Sequence, residues 1–152
     1  MREVNPPRNQ VIVVCTANVC RSPMAAALLA HALGKEPGLA GLEVTSAGIA
    51  AYPGEAPSEN SVHALKKVGL DLAGHRSRPL GEDDVRRAFA IFAMTGDHLR
   101  AIRASFDELP PHLDLFLGPL GEDGADVPDP YGGPLREYEN CRDRFVEAIP
   151  AL

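Results

Sequence analysis

The chain predicts an α/β fold of three layers: a four-stranded parallel sheet flanked by helices on both faces. Three observations carry this expectation. Val11-Ile12-Val13-Val14 is an unbroken β-branched run, and Phe89-Ala90-Ile91-Phe92-Ala93-Met94 is a second apolar run. Runs without polar alternation mark strands buried on both faces, as the strands of a parallel sheet are. Stretches with helical spacing alternate with the strand-like runs, as crossovers between parallel strands require. Glycine and proline number 14 each, together 28 of 152 residues, well above their combined average share of about 12%, which predicts many turns and argues against a helical bundle.

The elements follow in order. Residues 1–10 are polar and Pro-rich and read as a mobile leader, with one domain over 11–152. The first strand, 11–14, runs into Cys15-Thr16-Ala17-Asn18-Val19-Cys20-Arg21, and Ser22-Pro23 follows. Ser is a favoured N-cap and Pro a favoured first helical residue. Residues 24–33 are rich in Ala and Leu, which suits a helix, with Gly34 as its stop. Residues 42–46 read as a second strand ending before Gly48. Residues 57–69 read as a helix opened by Pro57, with Val62, Leu65 and Val68 recurring every third position. A short helix is expected over 81–87, and the third strand over 89–94. Residues 97–106 read as a helix with Leu99, Ile102 and Phe106 on one face. Residues 113–117 give a fourth, short strand. A Gly/Pro/Asp-rich loop covers 118–133. A last helix spans about 134–149, striped by Leu135, Tyr138, Arg142, Phe145 and Ile149.

Composition narrows the function. The net charge is −6 and the pI about 5.3, whereas nucleic-acid binders present a basic face, so no nucleic-acid partner is expected. The opening residues do not form a signal peptide. No apolar run approaches the roughly 20 residues that span a membrane, so no membrane partner is expected. The three cysteines, Cys15, Cys20 and Cys141, do not suit a secreted disulfide framework. A cytoplasmic protein is expected, and nothing in the sequence demands more than a monomer. Zinc is not expected, because no second cysteine pair exists to complete a site.

In parallel α/β folds ligands sit at the carboxyl ends of the strands, which directs attention to the loop after the first strand. Its end is a helix N-terminus, where unpaired N–H groups and a positive partial charge favour anions. A loop curled over that terminus aims further N–H groups at one centre. Arg21 adds a planar fork that matches two phosphate oxygens. A cysteine at the bottom of such a nest is expected to be a thiolate, since helix N-termini and cations stabilise the charged sulfur. Ser22 is placed to donate to Cys15 sulfur. Phosphate held over a thiolate is arranged for nucleophilic phosphoryl transfer. C-x5-R alone also fits a buried Cys with a capping Ser and a surface Arg. The preceding strand, the following Ser-Pro and the intervening Asn18, a residue that tolerates left-handed backbone, favour the phosphate loop.

Transfer to sulfur also requires protonation of the departing group. Asp129, in Val127-Pro128-Asp129-Pro130-Tyr131-Gly132-Gly133, is the candidate acid. Asp-Pro is common in plain turns as well; the pairing with the first loop favours the acid.

Val14-Cys15-Thr16-Ala17-Asn18-Val19-Cys20-Arg21-Ser22-Pro23, with the distal Asp129-Pro130-Tyr131, resembles the low molecular weight protein tyrosine phosphatase family over nearly the whole chain. The resemblance implies the flavodoxin-like phosphotyrosine phosphatase I topology. It implies Cys15 as nucleophile, Arg21 as phosphate clamp, and Asp129 as general acid and then general base. Thr16, Ala17, Asn18, Val19, Cys20 and Ser22 would complete the phosphate loop. No metal or cofactor is implied. Asn18, Ser46 and His75 match positions that join a hydrogen-bond network in the family, although His75 also reads as an ordinary loop histidine. Tyr52 and Tyr131 fall where an aromatic rim is expected. The implied partners are a phosphorylated protein substrate and phosphate or another oxyanion.

Departures bear on specificity. Ala17 stands where the family usually has Gly, and its methyl is tolerable only if the backbone suits an L-residue. The Asp-Pro-Tyr-Gly-Gly form, and Ala93-Met94-Thr95, resemble the protein-arginine phosphatase branch. That branch carries Thr where this chain has Val19, and Val19 is closer to the Ile of the tyrosine phosphatases. Phosphotyrosine is therefore the preferred substrate, and phosphoarginine the alternative. Cys20 reads either as a redox partner that traps oxidised Cys15 in a disulfide or as a small buried hydrophobe; Cys141 reads as core. An arsenate reductase on this fold needs two further cysteines in the middle of the chain, and none lies between Cys20 and Cys141. A non-catalytic phosphate-binding module is disfavoured by the presence of both Cys15 and Asp129. Arg76 and Arg78 add positive charge near the mouth or are solvated loop residues.

Overall fold

The computed structural model describes residues 7–39, 41–121 and 126–152. Its sheet has four parallel strands: β1 (Gln10–Cys15), β2 (Glu43–Gly48), β3 (Ala88–Ala93) and β4 (His112–Leu115), in the order β2-β1-β3-β4. Five helices accompany them: α1 (Arg21–Leu33), α2 (Glu59–Lys66), α3 (Glu82–Arg87), α4 (Gly96–Ser105) and α5 (Leu135–Ala148).

The apolar run of β1 is explained by the strand period of two. Val11, Val13 and Cys15 enter one core with Met24 and Leu28 of α1, Leu65 of α2 and Phe145 of α5. Ile12 and Val14 enter a second core with Val85 of α3, Ile91 of β3 and Ile102 of α4. Helices thus cover both faces, and the three-layer expectation holds. Phe116 bridges the first core edge to face, 6.1 Å from Phe92 and 5.2 Å from Phe145 between ring centroids.

The chain passes from β1 to β2 on one side and reaches β3 on the other, so β1 and β3 flank the topological switch point. Their carboxyl ends open a crevice there. That crevice receives the Cys15–Arg21 loop and the start of α4.

Several boundaries differ from expectation. Residues 1–6 of the expected leader lie outside the described residues, and its inner end is tied to the sheet. Gln10 pairs with Glu43 in β1, and Arg8 donates to the carbonyls of Val85 and Ala88 at 3.0 Å each. Helix α2 starts after Ser58, not at Pro57, and ends at Lys66, which leaves Val68 exposed. Strand β4 ends at Leu115; Phe116 and Leu117 are buried by packing beyond the ladder. Arg142 interrupts the apolar stripe of α5 because its guanidinium donates to the Ala64 carbonyl at 2.9 Å and joins α5 to α2. Among the described residues, no helix is long and apolar enough to cross a membrane.

Candidate active site

Cys15 is the last residue of β1 and is buried. Helix α1 begins at Arg21 with Cys20 at its N-cap position, so Ser22 does not cap the helix as expected. Its hydroxyl has other partners: Cys15 Sγ at 3.0 Å and Asn18 Nδ2 at 2.8 Å. The main-chain N–H of Asn18 also donates to Cys15 Sγ, at 3.3 Å. The Ser22 hydroxyl and the Asn18 N–H thus both lie within hydrogen-bond reach of one buried sulfur.

Asn18 shapes the loop. Its φ is 61°, the one left-handed value among the described non-glycine residues. Ala17 therefore stays outside that region, and its methyl is accommodated. Beyond Ser22, Asn18 Nδ2 donates to Ser46 Oγ at 2.9 Å, and Asn18 Oδ1 accepts the main-chain N–H of Arg78 at 3.0 Å. His75 Nε2 lies 2.7 Å from the Asn18 carbonyl oxygen, so it is the donor. Burial pushes the His75 imidazole below its ordinary value, with Arg76 and Arg78 adding to the effect.

Gly48 lets the loop lie against β2. A Cβ there would stand 2.6 Å from the Thr16 carbonyl oxygen and 3.1 Å from Asn18 N. Beyond it, Ile49 N and Ala50 N donate to the carbonyls of Cys15 and Thr16 at 2.9 Å each. This hangs the segment bearing Tyr52 from the loop, and Tyr52 itself is 75% exposed.

Arg21 is 4% exposed. One Nη1 hydrogen bond goes to the Val127 carbonyl at 3.0 Å, and Nη2 donates to Thr16 Oγ1 at 3.3 Å. Nη2 also lies 3.7 Å from Asp129 Oδ2. Its Nε is buried and has no partner among the described residues. A cation held this way has an unused donor for an incoming oxyanion. Asp129 is half exposed, and its Oδ1 accepts the Tyr131 N–H at 3.0 Å in an Asx turn. The structure thus brings Cys15, Arg21, Asp129 and the loop residues together. Tyr131 is exposed on the same turn as Asp129.

Cys20 and Val19 face the core. Cys20 Sγ donates to Ser58 Oγ at 3.2 Å and lies 3.6 Å from Tyr138 OH. Burial pushes the Cys20 thiol up and pushes Tyr138 to about 12. Cys141, whose thiol reaches the Pro128 carbonyl at 3.7 Å, is pushed by burial to about 11. All three cysteines are free. Among the described residues, no group of His, Cys, Asp or Glu is arranged to hold a metal ion.

Sequence reasoning missed Gly48, Ser58, Val127, Tyr138 and His98. His98 Nε2 is 2.8 Å from Thr16 Oγ1. The signal for His98 was its place just after the third strand, at the switch point. Gly48 was read only as a strand terminator.

The model of the family described as low molecular weight phosphotyrosine protein phosphatase matches residues 10–152. A protein-arginine-phosphatase of Geobacillus stearothermophilus is 42% identical over 149 residues, covering 94% of this chain and 93% of that protein. A probable low molecular weight protein-tyrosine-phosphatase, EpsP, of Ralstonia solanacearum is 36% identical, covering 93% and 91%. The crystal structure of a low molecular weight protein tyrosine phosphatase from T. tengcongensis superposes with a TM-score of 0.82 at 35% identity, covering 93% and 95%. The match extends from the first residue of β1 through the Cys15–Arg21 loop and the Asp129 turn past the end of α5, so this chain belongs to the low molecular weight phosphotyrosine protein phosphatase family.

Proposed function

We propose that this protein hydrolyses phosphotyrosine in protein substrates through a cysteinyl-phosphate intermediate. The observation that carries the reading is the buried Arg21 guanidinium, whose Nε has no partner among the described residues, in one loop with a Cys15 sulfur that the Ser22 hydroxyl and the Asn18 N–H both reach. Arg21 and loop N–H groups hold the phosphate oxygens, and Cys15 Sγ attacks phosphorus. Asp129 gives its proton to the departing phenolate oxygen. In the second step Asp129 takes a proton from water, the water oxygen attacks phosphorus, and the S–P bond breaks. The hydrogen bonds from Ser22 and Asn18 N stabilise the returning thiolate. Asn18, Ser46 and His75 hold the loop in shape, and Tyr52 and Tyr131 offer aromatic faces at the rim.

The name of the Geobacillus relative, at 42% identity, favours phosphoarginine as a second reading. Two features weigh against it. Val19 is 8% exposed and packs in the core, and it has no hydroxyl to orient a guanidine or its attacking water. The Gly132-Gly133 pair has a structural reason of its own. Gly132 has φ of 81°, and a Cβ on Gly133 would stand 3.0 Å from the Pro130 carbonyl oxygen.

The same reading makes the protein a cytoplasmic monomer, and the three free cysteines support a reducing compartment. It also makes the enzyme redox-sensitive. Peroxide converts Cys15 to a sulfenic acid, and the Cys20 thiol displaces water to form a disulfide.

The test is turnover of matched phosphotyrosine and phosphoarginine peptides, with Cys15→Ser alongside. Faster phosphotyrosine turnover, abolished in Cys15→Ser, is expected. Faster phosphoarginine turnover moves the substrate assignment to the second reading. Turnover of neither leaves a phosphate-binding module.

A further inference from the structure

His98 lies outside the loop that the proposed mechanism uses, yet it is buried and polar. It sits in the first turn of α4, where its N–H donates to Thr95 Oγ1 at 3.2 Å. We infer that His98 is a positioning residue for the phosphate clamp: its Nε2 fixes the Thr16 hydroxyl on which Arg21 Nη2 rests. The inference rests on the reading of Arg21 as an oxyanion ligand.

The argument begins with donors and acceptors. Arg21 has only donors, so Thr16 Oγ1 accepts from Nη2 at 3.3 Å. A threonine hydroxyl on an exposed loop residue is free to take other rotamers unless a second partner holds it. His98 Nε2, 2.8 Å away, is that partner. The guanidinium is then braced from both sides, by the Val127 carbonyl and by the Thr16 hydroxyl. One brace comes from the loop after β1, the other from the segment after β4, which Val127 N ties to the Met94 carbonyl beyond β3 at 2.8 Å.

His98 is not placed there for its own satisfaction. Its Nδ1 is buried and has no partner among the described residues. Native proteins retain an orphaned buried polar atom where something else is gained. Burial and the neighbouring Arg21 cation both push His98 below its ordinary value, while Asp97, Asp126 and Asp129 oppose them. A neutral ring does not repel the guanidinium it supports. In either neutral tautomer Nε2 can bond the hydroxyl.

The test is binding of inorganic phosphate by calorimetry, which needs no turnover. Parent, Thr16→Val, His98→Leu, His98→Gln and the double variant Thr16→Val/His98→Leu are compared. Thr16→Val and His98→Leu are each expected to weaken phosphate about 5- to 10-fold, as loss of one hydrogen-bonded support does. The double variant is expected to be no weaker than either single variant, because both remove the same brace. His98→Gln, whose amide reaches the Nε2 position, stays within about twofold of parent. His98→Asn, too short to reach Thr16, takes the place of His98→Leu if that variant does not fold. Additive losses, or parent-like phosphate binding in His98→Leu, overturn the inference alone. Absence of phosphate binding in the parent overturns the reading of Arg21 and this inference with it.

Discussion

His75 Nε2 donates to the main-chain oxygen of Asn18 at 2.7 Å, across 57 residues of sequence. The bond lands on the one described non-glycine residue with left-handed backbone. Every polar atom of Asn18 is engaged: the carbonyl by His75, Nδ2 by Ser22 and Ser46, Oδ1 by Arg78 N, and N by Cys15. The side chain thus fixes both the loop's curvature and its docking on β2. Asn18→Ala removes the side-chain bonds and keeps the strained φ, with an expected loss of about 2–4 kcal/mol of stability. Asn18→Gly loses the same bonds but relieves the backbone, and is expected to be about 1 kcal/mol more stable than the Ala variant. Urea unfolding of both separates the two terms; equal midpoints would show that the positive φ stores no strain.

Gly48 makes a different prediction because its φ is ordinary and only space is at stake. A methyl would meet Thr16 O at 2.6 Å and Ala51 Cβ at 2.8 Å. Those neighbours include loop backbone and cannot yield without moving the nest. Gly48→Ala is expected to lose about 1–3 kcal/mol of stability and to raise KM for an aryl phosphate more than it lowers kcat. An unchanged KM would mean that the loop moves as a unit without disturbing the anion site.

Much of this was legible in the sequence, for identifiable reasons. The run 11–14 is apolar at every position because β1 is central and covered on both faces. Cys15, Asn18, Arg21 and Ser22 lie within eight residues, so their joint geometry is a local property of strand, loop and helix. Ser46 and His75 were reached through the resemblance alone; no periodicity marks them. His98 and Gly48 were not reached, because their roles come from the tertiary approach of β2 and α4 to the loop. Ser22 was misread for a related reason. A Ser before Pro looks like an N-cap, but here the hydroxyl is taken by Cys15 and Asn18, and the helix starts two residues before Pro23, at Arg21.

Asp129 is half exposed and touches Arg21 only at 3.7 Å, a placement that leaves its carboxyl free to reach a leaving oxygen. Asp129→Asn is expected to lower kcat by about 10²–10³ for phosphotyrosine, within the usual range for general acid catalysis. The loss is expected to be smaller for p-nitrophenyl phosphate, whose leaving group needs less protonation. Steady-state kinetics on both substrates checks this. Equal losses on the two would remove Asp129 from the acid role and leave it as a support for Arg21.

Two imidazoles, His98 buried and His75 half-buried, set a direction for stability against pH. Both His75 and His98 are held below their ordinary value of 6.5, by burial foremost. Above about pH 7 both are neutral in folded and unfolded chains and contribute nothing to the pH dependence. As pH falls through 6.5 the unfolded chain takes up the protons first, so stability declines until the lower, folded-state values are reached. The urea midpoint is expected to drop between pH 7.5 and 5, and the drop to be shallower in His98→Gln. Carboxylates contribute to the absolute slope, so the difference between variant and parent is the diagnostic quantity, and parallel curves would exclude His98 as a source.

Cys20 tests the redox reading on grounds of proton affinity. Burial pushes its thiol up, against the opposing effect of its hydrogen bonds with Ser58 and Tyr138. Thiolate is the attacking species in condensation with a sulfenic acid, so closure of the Cys15–Cys20 disulfide is expected to be slow near neutrality and faster at pH 8.5. Cys141, pushed to about 11, is expected to be a spectator. After one equivalent of hydrogen peroxide the parent should lose two thiols and recover activity with dithiothreitol. Cys141→Ser should behave as parent. Cys20→Ser should lose activity that dithiothreitol restores only in part, because a sulfenic acid with no thiol to trap it proceeds to irreversible states under continued peroxide. Full recovery of Cys20→Ser under that continued exposure would leave Cys20 as a packing residue beneath the loop.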